Sequence, residues 1–230
     1  KTISRGSFFM IWTKRRLLVA VAMSDTLTSK QFYELFMRLE EDMSLNETFV
    51  LGDLKYSLPE ETNKWIESMD WDLEIKKLQE QKVKVITILD GGYPQRLKEI
   101  YLPPIVLFYR GNLSLINRRA VAIVGSRDHS KYAKDCIHEL IPVLVNDDIV
   151  VISGLARGVD TLAHEETLKA NGSTIAVIGS GLNVVYPSEN SKLYDVIAKR
   201  GLILSEYPLQ SRPLKFHFPY RNRIIAGLSH

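Results

Sequence analysis

Two hydrophobic periodicities divide the chain. Between residue 17 and about residue 82, apolar positions recur at helical spacing: Phe32, Leu35, Phe36 and Leu39 in one run, Trp65, Ile66, Met69, Leu73, Ile75 and Leu78 in a looser one. Such spacing stacks apolar side chains on one helix face. Gly52-Asp53 and Ser57-Leu58-Pro59 punctuate the region as turns. The pattern predicts a small all-helical unit over residues 1–82. Its first turn, Ser24 to Thr28, contains no glycine. A helix-hairpin-helix DNA module needs a tight glycine hairpin, so direct DNA binding by this unit is unsupported.

Near Val83 the period changes. VKVITIL (83–89) and IVLFYRG (105–111) are β-rich runs joined by DGGYPQRLKEIYLPP. Pro103-Pro104 forces extended or turned backbone there and allows a cis bond. From Ala120 onward, strands near 120–124, 149–152, 174–178 and 202–205 alternate with helical patterns. That alternation requires crossover connections and hence a parallel sheet. Residues 83–230 therefore read as an α/β unit, a Rossmann-like, mostly parallel sheet flanked by helices. No internal repeat or low-complexity stretch interrupts it.

Composition narrows the class without choosing the function. Apolar residues make up 45% and charged residues 25% of the 230 positions, as in ordinary globular proteins. A net charge of +3 is too small to indicate a nucleic-acid partner, so local distribution must decide. The single cysteine, Cys136, excludes an intrachain disulfide and suits a reducing compartment. Its place in a helical stretch reads as a small buried hydrophobe. KRRLLVAVAMS at 14–24 has the outline of an export signal, but fits better as the first amphipathic helix. No run approaches the length of a membrane span.

The candidate chemistry sits where strands end in glycine-rich loops. The first loop is Gly125-Ser126-Arg127-Asp128-His129-Ser130. A dinucleotide fingerprint would need glycines where Arg127 and Ser130 stand, and a Walker loop needs a Gly-Lys-Ser/Thr that does not follow. What remains is Ser126 and Ser130 as hydroxyl donors, with Arg127 able to grip a phosphate by two hydrogen bonds. Alternatively, Ser130 caps the next helix and Arg127 is solvated. The second loop carries Gly154, Ala156, Arg157 and Gly158, with Asp160 as the expected N-cap of the following helix and His164 as its structural partner. In the third loop, Gly179 and Gly181 precede Asn183, which either holds a phosphate or base or closes a turn.

The final segment shifts the balance. No acid follows Glu206, whereas Arg212, Lys215, Arg221 and Arg223 do, interleaved with Phe216, Phe218 and Tyr220. Basic groups track a phosphate backbone and aromatic faces stack on unpaired bases, a combination suited to a single strand. The plainer reading puts the phenylalanines in the core and the arginines in solvent. Arg221 and Arg223 flank Asn222 just after Pro219, at the expected start of a helix. Cations there oppose the helix dipole unless an anion intervenes, which favours a bound phosphate. Asp128, Asp160 and Glu206 are scattered without metal-ligand spacing. No catalytic residue, metal or cofactor is therefore expected.

Several ordered motifs resemble the DprA/Smf DNA-processing proteins: GSR-x-x-S, SGLARG-x-D-x-x-AH, TIAV-x-G-x-GL-x-x-x-YP, Leu-Ser-Glu-Tyr-Pro at 204–208 and FP-x-RNRIIAGLS. The patterns YP-x-x-L and PP-x-x-L-x-x-x-G upstream match the same family, so the resemblance spans roughly residues 90–230. It implies a non-catalytic, cytoplasmic protein of natural transformation that shields incoming single-stranded DNA. It also implies loading of a RecA-type recombinase by a homodimer, and a small SAM-like helical domain in front. Arg127, the glycine loops at 154–158 and 179–181, and Arg221-Asn222-Arg223 would line the phosphate pocket. Some relatives carry a basic residue where Ser188 follows Tyr186-Pro187, with Lys192 further on here. The family continues past the end of this chain, which also starts at Lys1 rather than Met. Both ends are thus expected to be cut, the sheet to be incomplete at its C-terminal end with an exposed strand edge, and contacts resting on the missing part to be lost. The competing reading is a nucleotide-binding or phosphoribohydrolase-like protein acting on nucleoside monophosphates. Its Gly-Gly-x-Gly-Thr loop does not occur.

Overall fold

A computed structural model describes residues 11–42, 47–54 and 56–230. Helix α1 (Lys14–Ser24) begins where the Thr13 hydroxyl accepts the Arg16 N–H, and ends at Asp25 in the left-handed region, φ 53°. Aspartate tolerates that conformation without glycine. Leu17 to Val21 are all buried, so the middle of α1 is enclosed on every side, while Arg15 in its first turn is exposed. Helix α2 (Ser29–Glu41) opens with a reciprocal capping box between Thr28 and Gln31. Helices α3 (Glu60–Ser68) and α4 (Trp71–Glu80) follow, the latter capped by Asp70. The Trp12 and Trp71 rings meet edge to face at 6.1 Å, with the Arg16 guanidinium 5.2 and 4.6 Å from their centroids.

The sheet comprises β1 (Lys84–Thr87), β2 (Val106–Gly111), β3 (Ala120–Ala122), β4 (Val150–Ser153), β5 (Thr174–Val177) and β6 (Leu202–Ser205), in spatial order β1-β2-β6-β5-β4-β3. Strands β3, β4, β5 and β6 run parallel, while β2 is antiparallel to both β6 and β1. Every residue of β4, β5 and β6 is buried, as a parallel sheet covered on both faces requires. The crossover and flanking helices are α5 (Gln95–Lys98), α6 (Lys131–Asn146), α7 (Val159–Lys169), α8 (Ser191–Arg200) and α9 (His217–Leu228).

One hydrophobic core runs from Trp12 and α1 through the sheet to Leu228. A smaller cluster of Ile137, Ile141, Leu144, Val151, Val159, Leu162 and Ala163 seals α6 and α7 onto β4. No helix among the described residues is long and apolar enough to cross a membrane.

Four local expectations change. The cis bond lies at Tyr186-Pro187, not at Pro103-Pro104. Cys136 is exposed on the outer side of α6 instead of buried. Helix α9 starts at His217, so Pro219 sits inside its first turn, where a missing N–H costs nothing. At the edge strand β3, His230 engages both outward backbone groups of Ala120, at 3.0 and 3.2 Å, so that part of the edge is covered.

Candidate nucleic-acid interface

The first two loops are built against each other. Gly158 caps α7 at φ 77°, and a Cβ there would overlap the Ser126 carbonyl, so no other residue fits without strain. Next to it, the Val159 N–H donates to Ser126 O at 3.1 Å, and Gly125 leaves room for the Val159 side chain. Both serines serve their own loop. The Ser126 hydroxyl donates to Asp128 O at 2.9 Å, and Ser130 caps α6 by accepting the Ala133 N–H at 3.1 Å. Arg127 is left exposed at the rim, in no ion pair among the described residues.

Around it a pocket of about 40 Å³ is lined by Arg127, Gly154, Ala156 and Arg157 from these loops, by Tyr186 and Pro187 after the third, and by Phe218 of α9. Arg127 and Arg157 also border an open trough with His129, Thr161 and Glu189. The Tyr186 and Phe218 rings tilt at 46° with centroids 5.4 Å apart, and Tyr186 is 47% exposed. Arg157 forms a two-bond pair with Glu189, Nε to Oε1 at 2.5 Å and Nη2 to Oε2 at 3.0 Å. Its side chains are 61% and 51% exposed, where an ion pair is worth little. Lys215 and Asn222 are exposed nearby in sequence, and Asn222 Oδ1 accepts from Arg221 Nε at 3.1 Å. The site thus offers two guanidinium groups beside a pair of aromatic faces.

Beneath the rim lies a buried ion pair. Asp160 is not the N-cap expected of it but the second residue of α7, 4% exposed. Its carboxylate accepts the N–H groups of Gly125, Gly154 and Ala156 at 3.4, 3.1 and 3.4 Å. Arg221, also 4% exposed, places Nη2 3.8 Å from Asp160 Oδ2 and donates through Nη1 to the carbonyls of Gly154 (2.5 Å) and Val177. Burial lowers the Arg221 pKa to about 10 against the pull of Asp160, and burial raises that of Asp160. Arg221 is therefore no free phosphate ligand. The anion that balances it is internal.

Other expected ligands are also committed elsewhere. Arg223 donates through Nη2 to both Glu206 oxygens at 2.6 and 2.7 Å, and stacks on Tyr220 at 4.2 Å. Asn183 accepts from Arg110 Nη2 at 2.7 Å and donates to Gln81 Oε1, away from the lining of the pocket. Gly179 and Gly181 are buried: the Gly179 carbonyl lies 3.1 Å from His217 Nδ1, and the Gly181 N–H donates to Ser211 O at 2.9 Å. A Cβ at Gly181 would overlap the Pro208 and Leu209 carbonyls, so this glycine makes room for chain, not ligand. His164 bonds Thr174 Oγ1 at 2.7 Å rather than Asp160; Thr174 gives its own proton to Val151 O, so His164 Nδ1 carries the hydrogen. Burial drives the His164 pKa down to about 3.

Of the expected set, the structure gathers Arg127, Gly154, Ala156 and Arg157 at one opening. The sequence reading missed Tyr186 as a lining residue, although Tyr186-Pro187 closes the third loop; of the three aromatics it offered for stacking, Phe216, Phe218 and Tyr220, Phe218 lines this pocket. Glu189 gave no such signal. Among the described residues, no group of three or more His, Cys, Asp or Glu could hold a metal ion.

Comparison with known proteins places this geometry. Residues 84–230 match the family model described as DNA recombination-mediator protein A. DNA processing protein DprA of Streptococcus pneumoniae is 52% identical over 148 residues, covering 64% of this chain and 52% of that protein. Its Bacillus subtilis counterpart is 44% identical over 151 residues, covering 65% and 51%. The chain thus spans about half the length of these curated relatives. The X-ray structure of the S. pneumoniae protein superposes with a TM-score of 0.80 at 41% identity, over 96% of this chain and 76% of that one. A structure of DNA processing protein A from Helicobacter pylori, described as having a unique single-stranded-DNA-binding mode, gives a TM-score of 0.56 at 34% identity, over 64% and 66%.

Proposed function

The chain belongs to the DNA recombination-mediator protein A family, and from that premise we propose that it binds single-stranded DNA without sequence preference at the Arg127–Arg157 pocket. One observation carries the reading: two guanidinium groups and two aromatic faces, Tyr186 and Phe218, border the same opening. Cations hold the phosphate backbone and the rings accept unpaired bases, with no base edge read. The single-strand mode described for the H. pylori relative supports it.

Loading of a RecA-type recombinase onto the bound strand, by a homodimer in the cytoplasm, completes the proposal. The family's description as a recombination mediator supports that part. Sedimentation of the protein with and without recombinase checks it, a single monomeric species in both runs counting against it. We read no catalytic step. Glu206, the acid nearest to a hydrolase role, is held by Arg223, so nucleoside monophosphates should release no free base.

Fluorescence anisotropy of labelled single-stranded and duplex oligonucleotides across a salt series tests the binding. Affinity for the single strand should fall with salt, and Arg127→Ala should weaken it and flatten the logarithmic slope by about 0.7. An unchanged affinity and slope in Arg127→Ala would sink the proposal.

A further inference from the structure

Strand-to-helix loops hold phosphates through converging backbone N–H groups. Here three such groups converge, those of Gly125, Gly154 and Ala156, and their common acceptor belongs to the protein itself. The Asp160 carboxylate fills the position, buried to the same extent as the Arg221 guanidinium beside it. The arrangement is built rather than incidental. Gly154 lacks the Cβ that would overlap that guanidinium, and Arg221 is anchored on the carbonyls of β5 and the second loop. Gly154 and Ala156 line the pocket, yet their N–H groups point to Asp160.

We infer that Asp160 is a resident anion of the rim: it takes the backbone donors a free nucleotide's phosphate would need, so the pocket meets phosphate through the Arg127 and Arg157 side chains and selects a strand over a nucleoside monophosphate. The word strand rests on the single-stranded-DNA reading above; the occupied cradle does not. Exposed guanidinium groups hold one isolated phosphate weakly, because each contact must overcome side-chain ordering and solvent screening. A strand delivers neighbouring phosphates and bases to Arg127, Arg157, Tyr186 and Phe218 in one association event, and their effects accumulate. A mononucleotide gains one contact and stops.

Asp160→Ala should open the cradle, leaving three N–H groups and Arg221 around a gap of anion size. Inorganic phosphate should then raise the melting temperature of the variant by about 3–6 °C at roughly ten times its dissociation constant. The wild-type protein should show only the shift seen with chloride at equal ionic strength. Equal phosphate shifts in the two proteins would overturn the inference. A second measurement covers the case where the variant does not fold: wild-type amide resonances are followed while dTMP is added. Unmoved Gly125, Gly154 and Ala156 amides support a filled cradle; a saturable shift in them overturns it. Neither arm contains DNA. Failure of the single-strand reading would appear separately, in the Arg127→Ala titration.

Discussion

The two pocket arginines differ in what each must release before it can hold a phosphate. Arg127 is exposed and in no ion pair among the described residues, whereas Arg157 holds Glu189 with Nε and Nη2 along one edge of its guanidinium. On the single-strand binding proposed above, Glu189 would compete with DNA for the same guanidinium. Glu189→Gln should raise single-strand affinity about 1.5–5-fold, the worth of an exposed ion pair, and steepen the salt slope. Anisotropy at low salt measures it; a weaker or unchanged complex would place Arg157 outside the interface. Arg127 stood out in the sequence as the one guanidinium in its loop, beside two serines, and the structure places it exposed at the pocket. Arg221 misled for a physical reason. A cation near a helix start does need an anion, but Asp160 and Glu206 supply it from distant parts of the chain, and linear sequence does not show which groups fold together.

Glycine-rich junctions pose the same ambiguity for elements. Absence of a Cβ can admit a ligand or admit the protein's own chain, and the letters are identical. At the first two loops it does the second in order to shape the first: Gly158 lets α7 begin against Ser126, and Gly154 lets Arg221 pass. At the third loop it only admits the 208–211 segment. Gly154→Ala should therefore destabilise the fold by about 1–3 kcal/mol, since the guanidinium it would strike is bonded and cannot retreat. Gly52→Ala, where an added Cβ meets nothing within 4 Å, is the control and should shift the urea midpoint little. A Gly154→Ala midpoint equal to the control's would show that Arg221 repacks freely.

Across the whole molecule, strand positions were legible from apolar runs, while strand order was not. Strand β2 leaves its sequence neighbour β3 at the far edge and pairs antiparallel with β6, a long-range choice set by packing rather than by local pattern. Burial at that centre also sets the response to acid. The fold keeps His164 neutral down to about pH 3, while the unfolded chain protonates it near 6.5. The unfolded state thus binds a proton first, and stability should fall by about 2 kcal/mol between roughly pH 7.5 and pH 5 on this account alone. Urea midpoints across that range should show the loss, and His164→Gln should remove it; a parallel loss in the variant would assign it to other groups. The paired tryptophan rings that clasp Arg16 have a consequence for observing all this. All three tryptophans, Trp12, Trp65 and Trp71, precede β1, whereas Tyr186 stands at the pocket. Indole emission is therefore a private signal of the helical end, blind to the strand capture proposed at the rim, and far-ultraviolet dichroism reports the rest. Because one core runs between them, the two optical melts should coincide, and any gap between the curves would measure how loosely that core is stitched.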